Sequence, residues 1–93
     1  MYVTMRRYSG AKWSEENSKK VQTEFVPLIR QVKGFKEYYC VDGGNGVLAT
    51  VSIFDDKAGA EESGRKAASW VRDNMKTWIP NPPDVTSGTV VAH

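Results

Sequence analysis

The sequence predicts an α+β fold in which a four-stranded antiparallel sheet carries two helices on one face. Residues 34–56 contain two alternating apolar runs around a Gly-Gly-Asn-Gly turn, which is typical of an antiparallel hairpin. A helical pattern lies on each side of this hairpin, and a strand-like segment stands near each end of the chain. The resulting order, β-α-β-β-α-β, is the ferredoxin-like arrangement.

The first strand is predicted at Tyr2–Tyr8 and the first helix directly after Ser14. Ser14 is a favourable N-cap, and two glutamates follow it in the first turn, where the helix dipole favours carboxylates. Pro27 has no N–H to donate and should bend this helix, and Gly34 should end it. The side that faces the sheet is an apolar stripe: Val21, Phe25, Leu28, Ile29 and Val32.

The second helix is predicted at residues 57–79, between two aspartates and a proline-rich segment. Its inner stripe is small at the start and large at the end: Ala60, Gly64, Ala67, Ala68, Val71, Met75 and Trp78. The last strand is predicted at residues 85–92.

The register of the hairpin decides which residues share a face of the sheet. With a two-residue turn at Gly44 and Asn45, Tyr38 would pair with Val51 and Cys40 with Ala49, and Tyr38 and Cys40 would face the helices. Phe35 would pair with Phe54 on the opposite, open face. That face mixes rings, hydroxyls and charged groups: Tyr2, Thr4, Arg6, Tyr8, Phe35, Glu37, Tyr39, Val41, Leu48, Thr50, Ser52 and Phe54. A bulge at the turn would shift this register.

An open face with this many apolar side chains is unfavourable in water. We therefore expect a second copy of the chain to cover it, giving a homodimer whose two sheets enclose a barrel. The hydroxyls and the arginine are suitable lining for a small-ligand cavity inside such a barrel.

The composition is that of one domain, residues 1–93, with a formal net charge of +2 and no block of either sign. This balance argues against a nucleic-acid or membrane partner. The single cysteine, Cys40, has no intramolecular disulfide partner, and no apolar segment is long enough for a leader or a membrane span, so we expect a cytoplasmic protein. Nucleotide fingerprints and clustered metal ligands are absent from the sequence, and we therefore expect neither a cofactor nor a metal.

Four stretches carry a resemblance to a known superfamily: GFKEYY, VSIFDD, GAEESGRKAASWV and PNPPDVTSGTVVAH. In these the chain resembles the dimeric α+β barrel proteins, and among them the small proteins similar to antibiotic-biosynthesis monooxygenases. The resemblance implies one of three roles: cofactor-independent oxidation of a small aromatic compound, haem degradation, or a barrel of unassigned activity. The haem-degrading members hold iron through a histidine on the second helix, where this chain has none, and its one histidine is His93.

The second helix offers Trp70, Asn74 and Trp78 one turn apart, so that one side could present two indoles and an amide to a ligand. Packing of both indoles and solvation of the amide explain the same pattern without a ligand. The catalytic residues are left open, and the residues predicted to line a ligand cavity are Arg6, Tyr8, Tyr39, Thr50, Phe54, Trp70 and Asn74.

Two functions from different classes remain. One is an enzyme that oxidises a small aromatic substrate without a cofactor. The alternative is a ligand-binding or stress-related barrel without chemistry of its own. RNA-recognition modules share the strand order, but the third strand, VLATVSIF, lacks their aromatic and basic pattern.

Overall fold

The elements follow in the predicted order in a computed structural model that describes residues 1–93. The strands are β1 (Tyr2–Tyr8), β2 (Phe35–Gly44), β3 (Val47–Phe54) and β4 (Asp84–Thr89). The helices are α1 (Glu15–Lys20), a π-helical segment (Val21–Phe25), α2 (Val26–Arg30) and α3 (Lys57–Asn74). The four strands form one antiparallel sheet of order β2-β3-β1-β4, which confirms the ferredoxin-like fold.

The first helical stretch begins with the predicted cap. The Asn17 N–H donates to Ser14 Oγ at 3.3 Å, and the Ser14 N–H donates to Asn17 Oδ1 at 2.9 Å, which completes a capping box. The helix becomes irregular next to Pro27, where a bend was expected. The irregularity is a π-helical segment, in which the Val26 N–H donates to the carbonyl of Val21.

Helix α3 begins as predicted and ends earlier. Asp56 is its N-cap and accepts a hydrogen bond from the Gly59 N–H at 3.0 Å. The prediction that the helix continues to residue 79 is wrong, because Met75 already leaves the helical conformation, at φ −128°. The Asn74 side-chain amide donates to the carbonyl of Trp70 at 3.0 Å, a local bond of the kind that competes with helical hydrogen bonding.

The hairpin turn lies one residue later than predicted. It consists of Asn45 and Gly46, both at positive φ (53° and 79°), as a two-residue I′ turn requires. The strand before it has a bulge between Asp42 and Gly44, and a second bulge lies between Phe35 and Glu37. The predicted pairs between the two bulges are therefore wrong, because Tyr38 pairs with Ser52, and Cys40 with Thr50. The predicted pair of Phe35 with Phe54 is confirmed.

This register moves most of the predicted open face under the helices. Tyr38 and Cys40 face the helices as predicted, but so do alternate residues of β1 and β3 that were expected on the other side: Tyr2, Thr4, Arg6, Tyr8, Leu48, Thr50, Ser52 and Phe54. The buried hydroxyls are tolerated because they find partners, and every buried side-chain polar atom has one. The Ser87 hydroxyl, for example, donates to Thr4 Oγ1 at 3.3 Å.

The main core lies between this side of the sheet and the helices. It joins residues from β1, β3, the π-helical segment, α2, α3 and the connecting chain: Tyr8, Ala11, Val21, Phe25, Ile29, Leu48, Ala67, Met75 and Ile79. Strand β4 ends at Thr89, short of the predicted residue 92, because its neighbour β1 begins at Tyr2, the partner of Thr89.

The other side of the sheet carries no helix. We call it the open face, and it consists of Val3, Met5, Arg7, Glu37, Tyr39, Val41, Ala49, Val51 and Ile53. Met5, Tyr39 and Val41 are 44%, 53% and 51% exposed, respectively. The expectation of an uncovered apolar face therefore holds, although largely for different residues.

Candidate functional site

A small inner cavity lies between the sheet and the helices. Its volume is about 30 Å³, enough for about one water molecule. The lining comes from β1, β2 and β3 below, and from the π-helical segment, α3 and the chain after α3 above. Most of the lining is apolar, and its polar members include Arg6, Tyr8, Tyr38, Cys40 and Thr50.

Three aromatic rings stand in a row along this cavity. The ring of Phe25, from the π-helical segment, lies 5.2 Å from the ring of Trp70 on α3. The Phe25 ring also lies 5.3 Å from the ring of Tyr38 on β2, in an edge-to-face arrangement. Phe25 thus links the other two rings, and the recess between sheet and helices has aromatic walls.

The two tyrosine hydroxyls and the cysteine thiol of the cavity stay protonated at neutral pH. Burial raises the pKa of the Tyr38 hydroxyl far above its ordinary value, and the neighbouring Cys40 adds to the shift. Burial raises the pKa of the Cys40 thiol to about 11, although the Tyr38 hydroxyl partly opposes this rise. Burial also raises the pKa of Tyr8, against the opposing charge of Arg6. The cavity thus offers hydroxyl and thiol donors and no internal carboxylate.

A larger outer groove adjoins the inner cavity. It runs between the first helical stretch and the edge strand β2, and its volume is about 340 Å³. Four residues line both spaces: Trp13, Val21, Tyr38 and Cys40. The rim of the groove carries charges of both signs from Arg30, Glu37 and Asp42. The volume falls at the lower end of the range of small-molecule sites.

Trp13 stands between the two spaces. It precedes the capped helix, is half-buried, and donates from Nε1 to Ser18 Oγ at 2.8 Å. The loop that precedes Trp13 is held in place at Ala11, whose N–H donates to the carbonyl of Gly46, and at Lys12, whose N–H donates to the carbonyl of Trp78. The indole is therefore attached to a fixed loop but is itself free of tertiary hydrogen bonds.

The structure brings together four of the residues predicted to line a cavity. Arg6, Tyr8, Thr50 and Trp70 all border the inner cavity, which lies within one chain and not in a barrel between two copies. Their contact with a ligand remains a prediction.

The other three predicted residues lie elsewhere. Tyr39 is on the open face and 53% exposed, because the bulges turn its neighbours Tyr38 and Cys40 toward the helices. Phe54 is fully buried, and its ring packs 5.7 Å from that of Phe35, away from the cavity. Asn74 borders a shallow surface recess beyond Trp70.

Sequence reasoning missed Phe25, Tyr38 and Cys40 as residues of the site. The first belongs to the predicted core stripe, and the other two were expected to pack against the helices without lining a space. The available signal was the pair of glycines directly before Asn45 and Gly46, since an extra residue beside a two-residue Asn-Gly turn indicates a bulge.

No group of three or more His, Cys, Asp and Glu side chains is arranged to hold a metal ion. None of the helices has the length and apolar character needed to cross a bilayer.

Known protein families and curated proteins give no match to this sequence. Solved structures do match over nearly the whole chain. A monooxygenase of Streptomyces coelicolor, from the gene ActVA-Orf6 and solved with nanaomycin D, is 11% identical with a TM-score of 0.74, over 99% of this chain and 88% of that one. SnoaB, a cofactor-independent oxygenase of Streptomyces nogalater, is 6% identical with a TM-score of 0.72, over 99% and 94%.

A third similar structure is a dimeric ferredoxin-like protein from an uncultured marine organism. It is 11% identical with a TM-score of 0.63, over 99% of this chain and 94% of that one. At these identities the likeness establishes a shared fold. The chain therefore has the monooxygenase-like, ferredoxin-like fold that its sequence resembles.

Proposed function

We propose that this protein binds a small, flat aromatic compound in the recess between sheet and helices and oxidises it with O₂, without a cofactor. The observation that carries the proposal is the row of rings from Trp70 through Phe25 to Tyr38, beside protonated hydroxyl and thiol donors. The fold shared with a cofactor-independent oxygenase supports it.

The ligand is expected to enter through the outer groove. The inner cavity alone is too small for an aromatic ring, whereas the groove has room for one and shares Tyr38 and Cys40 with the cavity. Rotation of the half-buried Trp13 would join the two spaces, because its indole lines both. A ring bound there would have its reactive edge at the two shared polar residues.

The proposed reaction needs only O₂ and an electron-rich substrate such as an anthrone. The substrate loses one proton to solvent water at the open groove to give a delocalised anion. This anion passes one electron to O₂, and the resulting radical pair combines to a peroxide. Protonation of the peroxide, loss of the second C–H proton and cleavage of the O–O bond leave a carbonyl carbon and one water. One anthrone and one O₂ thus give one quinone and one water.

The residues of the recess would stabilise the charge that moves during this reaction. The neutral hydroxyls of Tyr8 and Tyr38 can donate to a substrate oxyanion or to the peroxide, and donors fixed in a desolvated site act most strongly on developing charge. Trp70 and Phe25 would hold the ring plane and exclude water.

Oxygen uptake with a panel of anthrones and hydroquinones tests the proposal. We expect the parent protein to exceed the buffer rate and Tyr38→Phe to slow uptake by about tenfold or more, because one donor to the oxyanion is lost. Trp70→Phe should weaken substrate binding. Tyr39→Phe is the matched control, since it removes a neighbouring hydroxyl on the open face and should leave the rate unchanged. Uptake at the buffer rate across the panel would remove the enzymatic proposal.

One observation favours the second candidate, a ligand-binding barrel without chemistry. The cavity that carries the polar donors is nearly filled by side chains, with about 30 Å³ free. A protein of this kind would bind aromatic compounds saturably, with Tyr38→Phe and Tyr39→Phe alike in affinity and no O₂ consumed.

We also infer that the chain forms a homodimer through its open face. That face carries half-exposed Met5, Tyr39 and Val41 without a covering helix. Antiparallel sheets can leave one face in water when it is polar, and this one is largely apolar. The dimeric state of a protein with the same fold supports the inference.

A further inference from the structure

Arg6 is a half-buried arginine whose guanidinium has no hydrogen-bond or ion-pair partner. It lies in the central strand β1, points toward the helices, and is half-buried beneath α3. A half-buried guanidinium normally finds an acceptor. Arg6 nevertheless takes part in none of the structure's side-chain hydrogen bonds or ion pairs.

Helix α3 leaves room for this side chain at Gly64. A Cβ placed on Gly64 would lie 3.0 Å from Arg6 Nη2, which is closer than nearly all real contacts of that kind. Glycine within a helix is less favourable than alanine, so this position gives up helix stability where the guanidinium needs space. We call this gap at Gly64 the notch, and it keeps the guanidinium accessible from the β4 side of α3.

Arg6 joins two surface recesses into one groove between α3 and β4, which we call the β4 groove. Each recess has a volume of about 270 Å³ and includes Arg6 in its wall. One recess is apolar, with Val71, Ile79, Pro80 and Pro82. The other carries hydroxyl groups from Thr4 and Ser87 next to the arginine.

The charges around the β4 groove leave its centre positive. Glu61 lines the hydroxyl-bearing recess, but its carboxylate lies 3.7 Å from Lys57 Nζ, so its charge is partly balanced. Arg72 lines the apolar recess and contacts Asp73 at 3.4 Å. Thr4 Oγ1 accepts a hydrogen bond from Ser87, so its own hydroxyl proton is available to an anion beside Arg6.

We propose that the β4 groove binds a small organic carboxylate. The carboxylate pairs with Arg6 and the Thr4 hydroxyl, and an apolar ring lies against the Pro80–Pro82 side of the groove. A planar guanidinium matches a carboxylate with two parallel hydrogen bonds, and the adjoining apolar recess accounts for the ring. This site is separate from the outer groove and goes beyond the proposed function, although Arg6 also borders the inner cavity.

Titration with 2-naphthoate, followed by amide chemical shifts, tests the site. We expect saturable shifts at Thr4, Ser87 and Asn81, and much weaker binding of the neutral analogue 2-naphthalenemethanol. Arg6→Gln should weaken 2-naphthoate binding by about tenfold or more, because a charged hydrogen-bond partner is lost. Arg6→Lys should retain part of the affinity.

Two variants make the test specific. Arg7→Gln is the matched control, because Arg7 lies next in sequence on the open face, and it should bind as the parent does. Gly64→Ala fills the notch and should weaken binding with the helix intact. Equal affinities of the parent and Arg6→Gln, or shifts confined to the outer groove at Trp13 and Tyr38, would overturn the proposal. An absence of O₂ uptake would remove the proposed oxidation and leave this site unaffected.

Discussion

The two glycines of α3 have different neighbours and should respond differently to the same substitution. A Cβ on Gly59 would lie 2.7 Å from the carbonyl oxygen of Lys33 and 3.2 Å from the buried ring of Phe54. A Cβ on Gly64 meets only the end of the flexible Arg6 side chain. At Gly59 the neighbouring backbone leaves no room for a Cβ, whereas at Gly64 the Arg6 side chain can move to make room for one.

We therefore expect Gly59→Ala to lower the free energy of unfolding by about 1–3 kcal/mol, because overpacking outweighs the helix propensity of alanine. Gly64→Ala should be neutral or slightly stabilising. Urea denaturation of both variants checks this. Equal stabilities of the two variants would contradict the close approach of α3 to the residue-33 carbonyl.

The thiol of Cys40 should be slow to react with alkylating agents. Its pKa is raised from 9.0 to about 11 by burial, so the neutral thiol persists to higher pH. At pH 8 the protein then has about a hundredfold less thiolate than an unperturbed cysteine. Iodoacetamide labelling followed by mass spectrometry should show a rate that keeps rising beyond pH 9.5. A plateau near pH 9 would contradict the buried position.

Single residues show what the sequence could predict about the site. Arg6, Tyr8 and Thr50 were named because they mix polar groups with aromatic neighbours, and that chemistry holds whichever face they lie on. Tyr39 was assigned to the site instead of Tyr38 because the two alternate on one strand. A shift of one residue exchanges such neighbours, and only the bulges decide between them.

At the level of elements, the bounds that depend only on neighbouring residues, such as helix caps, were predicted correctly. Strand β1 has the predicted bounds, and both helices begin at their predicted caps, Ser14 and Asp56. The end of α3 was predicted too late, because the predicted apolar stripe continues through Met75 to Trp78 although the chain has left the helix. Met75 is buried as predicted, but beyond it Ile79 is buried and Trp78 only half-buried, so helical periodicity predicted burial correctly only as far as the helix continues.

The capping box of α1 should be a measurable part of the stability. Asn17 is almost fully buried, and its amide and the Ser14 hydroxyl satisfy each other's backbone N–H groups. We expect Ser14→Ala to lower the free energy of unfolding by about 1 kcal/mol and Ser14→Asp to retain most of it, since a carboxylate also caps. Thermal melts followed by circular dichroism compare the two. Equal melting temperatures would mean that the cap contributes little.

At the scale of the whole molecule, the open face predicts association. The sequence argument named Leu48 as part of that face, but Leu48 is a core residue, 2% exposed, and its substitution would test folding instead. Val41 and Val85 are better positions for substitutions, because they are similarly exposed, at 51% and 55%, and lie on different faces of the sheet. Val41 is on the open face, and Val85 is on the face that carries the helices.

We expect the parent and Val85→Asp to have the mass of a dimer by light scattering at micromolar concentration, and Val41→Asp to shift toward the monomer, because a buried unpaired carboxylate opposes association. A monomeric parent would remove the homodimer. Dissociation by Val85→Asp alone would place the interface at β4 on the face of the sheet that carries the helices.

The whole molecule has helices on only one side of its sheet, which leaves one apolar face uncovered and one recess between the sheet and the helices. The sequence predicted the arrangement of elements, but it combined these two places into one barrel cavity, because the register that separates them depends on two bulges.

The crystal structure of the protein with an anthrone, grown and soaked without oxygen, tests the proposed function most directly. We predict electron density for the ring system in the outer groove, with Trp13 rotated and the ring edge within hydrogen-bonding distance of the Tyr38 hydroxyl. Density for the ring on the open face, or an unchanged and empty recess at saturating anthrone, would contradict the account.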